Sequence, residues 1–148
     1  MTSMATLSSG DSVVALIVLE DGGYLMQLRD QKPDIFYPGH WGLFGGAVDS
    51  GEDLLEAISR ELEEELDLKV SSPVYFANFV FDLSPAGIGS FSRRFYEVPL
   101  AYAEYKQLKL REGADMKVFT GREIMLLNRV VPCDTLAIWH HYKRHRLK

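Results

Sequence analysis

Acidic side chains crowd one short stretch of the chain, residues 59–67, which reads SRELEEELD. This stretch contains five carboxylates and one arginine. Like charges at neighbouring positions of an exposed helix repel by about 0.2–0.5 kcal/mol per pair. Either these acids form a solvated helix face, or they bind a cation. Oxygen ligands of high charge density suit Mg²⁺ or Mn²⁺ better than zinc.

Helix geometry separates the acids into two groups. With about 100° between successive residues and Glu61 placed at 0°, Glu65 falls at about 40° and Glu64 at about 300°. Glu56 and Glu63 fall at about 220° and about 200°, which predicts that they face solvent. The three other acids lie at the edge of the apolar stripe, where they raise one another's pKa unless a cation is present. The predicted stripe spans roughly 60–140° and comprises Leu55, Ile58, Leu62 and Leu66.

The residues before this predicted helix extend the pattern. Residues 45–68 read GGAVDSGEDLLEAISRELEEELDL. Five residues separate Gly46 from Glu52, and seven separate Glu52 from Arg60. This spacing closely resembles the Nudix box of the Nudix hydrolases, G-x5-E-x7-R-E-U-x-E-E-x-G-U, in which U is aliphatic. Every specified position matches except the second glycine, where Asp67 stands.

The resemblance implies an activity and a set of residue roles. Nudix hydrolases cleave a nucleoside diphosphate linked to another group by attack of water at phosphorus, with divalent ions that neutralise the diphosphate and activate water. Glu52 and Arg60 would form an ion pair that braces the loop, with Arg60 a brace rather than a neutralising partner. One of the box glutamates or Glu112 would be the general base, although a surface charge is equally consistent with Glu112. The implied ligands of Mg²⁺ (or Mn²⁺) are Gly46, Glu61, Glu64 and Glu65.

Two positions depart from the family pattern. Asp67 stands at the C-terminus of the predicted helix, where glycine adopts the left-handed conformation readily and Asp does so with some strain. Phe44 stands where many members carry proline, directly before Gly45-Gly46. Neither departure removes an implied metal ligand.

Three residues before the box are candidates for substrate contacts. Arg29, at the end of a predicted strand, could meet a phosphate, and Trp41 or Phe44 could stack on a base. Solvent exposure of Arg29 and core packing of the two aromatic residues are the alternatives. Nucleotide sugars and nucleoside triphosphates are the competing substrate classes. A Nudix-fold module that senses a nucleotide without hydrolysing it is the alternative function.

The charge distribution also argues for a local cation site. Residues 52–67 hold eight of the chain's 21 acids and one of its 16 Lys and Arg residues. The net charge of −5 therefore belongs to this segment, and no nucleic-acid partner is expected. The longest apolar run, residues 13–19, is too short to cross a bilayer, so no membrane partner is expected either.

The ends of the chain give a few further expectations. Residues 1–11 should form a flexible N-terminal arm, since MTSMATLSSG lacks the basic and apolar regions of a signal peptide. The single cysteine, Cys133, fits a reducing compartment, and a cytoplasmic location is expected. Many Nudix hydrolases are dimers, and a homodimer is left open. His141 and His145 are spaced for a metal pair, but their basic neighbours favour a solvated tail.

The remaining pattern alternates strands and helices and predicts an α/β fold. The resemblance implies the Nudix-type αβα sandwich, a mixed β-sheet between helices, in one domain over residues 12–148. Strands are predicted at residues 12–19, 24–29, 41–44, 73–83, 90–102 and 116–119.

Three helices are predicted. The box helix should be capped by Ser50 and run to about Leu66. A short helix should cover residues 122–127. The last helix should start at Pro132 and present an apolar stripe made of Leu136, Trp139 and Tyr142.

Overall fold

A computed structural model describes residues 11–87 and 89–146 of the chain. The N-terminal arm predicted for residues 1–11 lies outside the described residues except for Asp11.

One mixed β-sheet forms the centre of the described chain. Its strands run in the order β3-β2-β1-β6-β5, while β4 pairs with β1 and β7 pairs with β2. The central pair β1–β6 is parallel, and the other described pairs are antiparallel. The strands are β1 (Ser12–Leu19), β2 (Tyr24–Leu28), β3 (Trp41–Gly42), β4 (Phe44–Ala47), β5 (Val74–Asp82), β6 (Ser90–Leu100) and β7 (Asp115–Phe119).

The described helices are α1 (Leu54–Leu66), α2 (Tyr102–Tyr105), α3 (Gly121–Leu126) and α4 (Pro132–Arg146), with a 3₁₀ turn at Ser84–Ala86. None of these helices has the length and apolar character that crossing a membrane requires. The last helix begins at Pro132, as predicted, because a proline at the first helical position loses no helical hydrogen bond.

Strand β1 divides the core into two layers. Side chains alternate across a strand, so Val13 and Ile17 pack with α1 on one face of the sheet. Val14 and Leu16 pack on the other face with Ile124 of α3 and with α4. The predicted αβα sandwich with a mixed sheet is therefore confirmed.

The strand predicted over residues 41–44 is in fact two strands. β3 pairs with β2, whereas β4 pairs with β1. The chain switches partner at Leu43, whose backbone N–H donates to the carboxylate of Asp134 at 2.9 Å instead of to a strand. This acceptor comes from α4, and residues 41–44 themselves carry no sign of it.

The stripe predicted for α4 faces the wrong way. Leu136 and Trp139 remain 38% and 47% exposed, and only Tyr142 packs partly against the core. The face that the helix buries instead contains polar side chains at helical spacing. An apolar-periodicity argument cannot find such a face, because each buried polar group depends on a partner elsewhere in the chain. The buried residues of α4 are Cys133, Asp134, Ala137, Ile138 and His141.

The structure gives Asp67 two functions at the end of α1. Its backbone is left-handed, with φ 55° and ψ 34°, and its N–H donates to the carbonyl of Glu63. This is the single 5→1 bond of an αL helix ending, and the N–H of Leu68 donates to the carbonyl of Leu62 at 3.3 Å. The carboxylate lies 3.8 Å from Lys109 Nζ and 3.5 Å from Arg111 Nη2. Asp67 therefore replaces the expected glycine and also pairs with the chain that follows α2.

Substitutions at Asp67 should distinguish its backbone role from its charge. Asp67→Gly removes the left-handed strain and two solvent-exposed ion pairs, effects of similar size and opposite sign, so we expect its stability within about 0.5 kcal/mol of wild type. Asp67→Ala keeps the strain and loses the ion pairs, and should cost about 1 kcal/mol. Urea unfolding measures both free energies. Equal losses in the two variants would contradict the left-handed explanation.

Candidate active site

Helix α1 buries a face that is centred on its acids. Leu55, which was predicted to be buried, is 47% exposed. Ala57, at about 320°, is fully buried instead. The buried sector thus shifts by tens of degrees from the predicted stripe, and Glu65 lies inside it with 4% of its surface exposed. Glu56 and Glu63 are exposed, as predicted.

The loop before α1 also differs from its predicted cap. The helix begins at Leu54 with Asp53 as its N-cap residue, and no side chain caps it. Ser50 is exposed in the preceding loop. Glu52 accepts the backbone N–H of Asp49 at 3.0 Å, and Arg60 holds its carboxylate. The ion pair with Arg60 therefore orders this loop in place of a capping box.

Glu61 and Glu65 form a hydrogen-bonded pair of carboxyl groups. Burial raises the pKa of Glu65 to about 10, and the negative charges of Glu112 and Glu61 act in the same direction. Burial also raises the pKa of Glu61, against the opposing effects of Glu65 and Arg60. Two carboxyl oxygens can share a hydrogen bond only if one group is protonated. In the absence of a cation, Glu65 is therefore the protonated donor.

The two glycines of β4 allow this pair to sit close to the sheet. A Cβ on Gly46 would lie 2.5 Å from the Glu61 carboxylate. Gly45 has φ +153°, and a Cβ there would overlap the carbonyl oxygen of Val13. The Gly45 backbone also hydrogen-bonds the Glu65 carboxyl. Gly46 therefore lets α1 approach β4 closely, and Gly45 lets β4 lie close to the backbone of β1.

Arg60 binds several acids of the box at once. Its Nε lies 2.7 Å from Glu52, and its Nη1 lies 3.0 Å from Glu61 and 3.3 Å from Glu64. Its Nη2 donates to the carbonyl of Ala47 at 3.1 Å. The hydrogen bonds that Arg60 donates to Glu52 are the main reason that the pKa of Arg60 is raised. Arg60 is thus both a brace and a neutralising partner, whereas the sequence argument gave it only the first role.

The predicted three-carboxylate patch is only partly assembled. Glu61 and Glu65 meet, but Glu64 is exposed and turned toward Arg60. Within residues 11–87 and 89–146, no three carboxylates bring ligand atoms within 4.8 Å of one another. Arg60 occupies one side of the patch, so a helix-angle argument overestimated how closely the acids converge.

A cavity of about 270 Å³ opens beside the carboxyl pair. Its lining combines cationic, aromatic and acidic side chains with the backbone of residues 45–47. Glu112 lies on its wall, near enough to Glu65 to raise the pKa of that carboxyl. The side chain of Gln27 fixes the backbone here by donating to the Glu112 carbonyl at 2.9 Å. The lining side chains of interest are Arg29, Phe36, Phe91, Arg93, Glu112 and Asp134.

The two arginines that line this cavity differ in their hydrogen bonding. Arg29 is partly buried, which lowers its pKa, and its Nε donates to the carbonyl of Phe36 at 2.6 Å. Arg93 Nη2 lies 2.7 Å from Asp134, while its buried Nε has no hydrogen-bond partner in the described part of the chain. A buried donor without a partner is costly.

The structure revises two of the three predicted substrate contacts. Arg29 lines the cavity. Phe44 is fully buried in the core on the α1 side and is therefore unable to stack on a base. Trp41 lies edge-on to Phe119, with ring centroids 4.9 Å apart, and lies outside the cavity wall. Core packing, the alternative use of both rings, describes their positions.

Sequence reasoning missed Arg93, Phe91 and Asp134. Arg93 and Phe91 reach the cavity because β6 pairs with β1, a contact between residues about 80 positions apart. No local sequence pattern predicts such a pairing. Asp134 carried one signal, its place in the first turn of a helix that starts with proline. That signal does not reveal that the carboxylate joins Leu43 to Arg93.

A mixed sheet between helices, with an acidic helix packed on a glycine-containing strand, defines the class of fold. The NUDIX domain model matches residues 9–141, and the chain belongs to the Nudix family. The curated relatives include nucleoside triphosphatase NudI of Escherichia coli O139:H28 (strain E24377A / ETEC), which is 42% identical over 55 residues, or 37% of this chain. The match spans only 38% of that relative's length.

Solved structures share the fold over nearly the whole chain. The MutT protein from Methanosarcina mazei Go1 has a TM-score of 0.76 at 22% identity, covering 95% of this chain and 98% of that one. The ORF135 protein of E. coli has a TM-score of 0.75 at 20% identity, covering 97% and 96% of the two chains. At this level of identity, the similarity is one of architecture.

Replacing Glu65 by Gln should change the pH dependence of stability in the metal-free protein. Folding raises the pKa of Glu65 from 4.5 to about 10. Its contribution to stability is therefore present below the lower value and is lost as pH rises toward the higher one. Gln keeps the neutral shape of the protonated acid. We expect Glu65→Gln to match wild type at about pH 5 and to exceed it by on the order of 2 kcal/mol at about pH 9.

Urea unfolding in a chelator, repeated across this pH range, measures the difference. Glu63→Gln is the matched control because Glu63 is an exposed acid of the same helix. Its stability should follow the wild-type pH curve. Parallel curves for wild type and Glu65→Gln would contradict a buried, protonated Glu65.

Proposed function

We propose that the protein is a Mg²⁺-dependent (or Mn²⁺-dependent) pyrophosphohydrolase that cleaves a nucleoside diphosphate linked to another group. The observation that carries this proposal is the buried Glu61–Glu65 pair next to Gly45 and Gly46, which line a cavity that also presents two arginines. An anionic diphosphate needs cations around it, and a buried carboxyl pair can ionise fully only beside a cation. Membership of the Nudix family supports the same reaction class.

The residues present fit a hard divalent ion. Glu61 and Glu65 supply carboxylate oxygens, and Gly46 leaves its backbone close to Glu61. Glu64 is near enough to share Arg60 with Glu61, so it is the further acid that would join them. All these donors are oxygens, which suit Mg²⁺ and Mn²⁺. Such an ion, when bound, neutralises phosphate charge and lowers the pKa of water.

The cavity side chains can be assigned to parts of the substrate. Arg29 and Arg93 are the cationic residues of the wall and would bind phosphate oxygens. Phe36 and Phe91 offer ring surface for a base. Their place in the cavity that Gly45 and Gly46 also line, next to the carboxyl pair, supports a nucleotide substrate.

A general base is still needed to take the proton from the attacking water. Glu112 lines the cavity and lies near enough to Glu65 to influence its pKa. Glu112 is exposed, whereas Glu65 is buried and protonated. We assign Glu112 this role, with Glu52 and Arg60 holding the loop that precedes α1.

Among substrate classes, we place nucleoside triphosphates before nucleotide sugars. The relatives that are 42% identical over 55 residues carry the name nucleoside triphosphatase NudI. A triphosphate contains the same diphosphate linkage as a nucleotide sugar, and the cavity lining suits either. The choice between them therefore rests on the relatives' name.

Purified protein with Mg²⁺ should turn over at least one member of a panel of nucleoside triphosphates and nucleotide sugars. A triphosphate would yield pyrophosphate or inorganic phosphate, and a nucleotide sugar would yield a nucleoside monophosphate and a sugar phosphate. Glu61→Gln and Glu65→Gln should each lower kcat/KM by roughly 100-fold or more, because both remove a charge needed for metal-assisted attack. Glu63→Gln, the exposed control, should retain wild-type activity. Chromatography of the products measures turnover and identifies the bond that breaks.

Two results would contradict this function in different ways. Loss of activity in Glu63→Gln to the same extent as in Glu65→Gln would show that the acids act through overall charge. Tight nucleotide binding by calorimetry without turnover of any panel member would instead establish the nucleotide-sensing module.

A further inference from the structure

A second cluster of potential ligands lies between β6 and α4. Within residues 11–87 and 89–146, it is the one group of three His, Cys, Asp or Glu side chains whose ligand atoms lie within 4.8 Å of one another. Glu97 comes from β6, and His141 and His145 lie one turn apart on α4. The Nε2 atoms of His141 and His145 lie 3.0 Å and 3.9 Å from the same oxygen of Glu97.

The buried position of His141 corrects the expectation that the C-terminal histidines belong to a solvated tail. His141 is 3% exposed, and its burial lowers its pKa. His145 is about half exposed, as that expectation required.

Tyr24 orients the His141 ring. Its hydroxyl lies 2.7 Å from Nδ1 of His141. When Nδ1–H donates to this hydroxyl, the lone pair on Nε2 points toward Glu97. A metal-binding histidine commonly donates its other N–H to a neighbouring oxygen in this way, which fixes the ring and its tautomer.

We propose that Glu97, His141 and His145 form a binding site for a divalent transition-metal ion of the Zn²⁺ or Co²⁺ type. Two imidazole nitrogens and one carboxylate are a common ligand set for zinc. Imidazole donors select such ions over Mg²⁺, so this site differs in chemistry from the all-oxygen donors of the candidate active site.

The surroundings leave room for a fourth ligand. A cavity of about 410 Å³ borders the cluster, and Glu97 and His145 are partly exposed, so water can complete the coordination. Glu20 and Asp21 also line this cavity, but they accept hydrogen bonds from the backbone and hydroxyl of Tyr102. The two histidines and Glu97 are therefore the ligand set.

The metal would connect β6 and α4, which already contact each other at a second point. Arg93 and Glu97 lie on one face of β6, four residues apart, and Asp134 and His141 lie on one face of α4. The Arg93–Asp134 ion pair ties these elements at the candidate active-site cavity. The proposed site would connect β6 and α4 a second time, further along each element. This contact would hold the second half of α4 against the sheet.

The alternative is a hydrogen-bond chain without metal, in which the Tyr24 hydroxyl donates to Nδ1 and Nε2–H donates to Glu97. Titration with Co²⁺ separates the two possibilities. Chelator-treated protein, returned to buffer with saturating Mg²⁺, should bind one Co²⁺ and show ligand-field absorption in the visible range. Zn²⁺ should displace the Co²⁺ and raise Tm.

Three variants make the experiment specific. His145→Ala and Glu97→Gln should each weaken Co²⁺ binding by roughly 100-fold or more and abolish the Tm increase with Zn²⁺. His145 is half exposed, so its removal leaves the core intact. His140→Ala is the matched control, because His140 is the adjacent, exposed histidine of α4 and packs on Phe79. It should bind Co²⁺ as wild type does.

Several outcomes would overturn the proposal. Absence of Co²⁺ absorption in wild type would leave the hydrogen-bond chain as the role of the cluster. Unchanged binding in His145→Ala, or an equal loss in His140→Ala, would place the ion elsewhere. Glu65→Gln should keep Co²⁺ binding, and its loss in that variant would assign the ion to the candidate active site.

Discussion

The arrangement of the site depends on one constraint, the burial of two carboxyl groups on the core face of a helix. Glu65 lies inside the buried sector of α1 with Glu61 beside it, and neither group can be hydrated as a free carboxylate would be. Gly46 follows from this, because any larger residue would occupy the space of the Glu61 carboxyl. Hydrogen bonding between the two acids, with Gly45 as a further partner, is the cation-free solution to the same problem.

The parts of the fold that follow from local sequence were predictable, and the parts that depend on distant partners were not. The hairpin of β1 and β2, the C-terminal end of α1 and the acids of the box come from periodicity and spacing within about 20 residues. The break at Leu43 depends on Asp134, which is 91 positions away. The buried face of α4 could not be predicted for the same reason, since Asp134 and His141 depend on distant partners that include Arg93 and Glu97.

Helix α4 shows how polar pairs can replace apolar contacts without loss of order. Its inward face carries an aspartate at one end and a histidine two turns later, with Ala137 and Ile138 between them. Each polar group has a partner on the sheet, so its desolvation is offset by a directed hydrogen bond. Directed bonds also fix the register of the helix along β6 more narrowly than apolar packing does. This register places Asp134 at the cavity wall.

The charge balance around Arg60 explains why the site suits a cation. One guanidinium lies within 3.5 Å of carboxylates from Asp49, Glu52, Glu61 and Glu64. In the described part of the chain, no other basic side chain forms an ion pair with these four acids. Arg60 therefore neutralises one of these four charges, and the neighbouring Glu65 adds no further charge while it is protonated. A divalent ion would supply two more positive charges, which would allow Glu65 to ionise. Within residues 59–67, a bound metal ion and the proton on Glu65 would therefore be alternatives, and the site would hold one or the other.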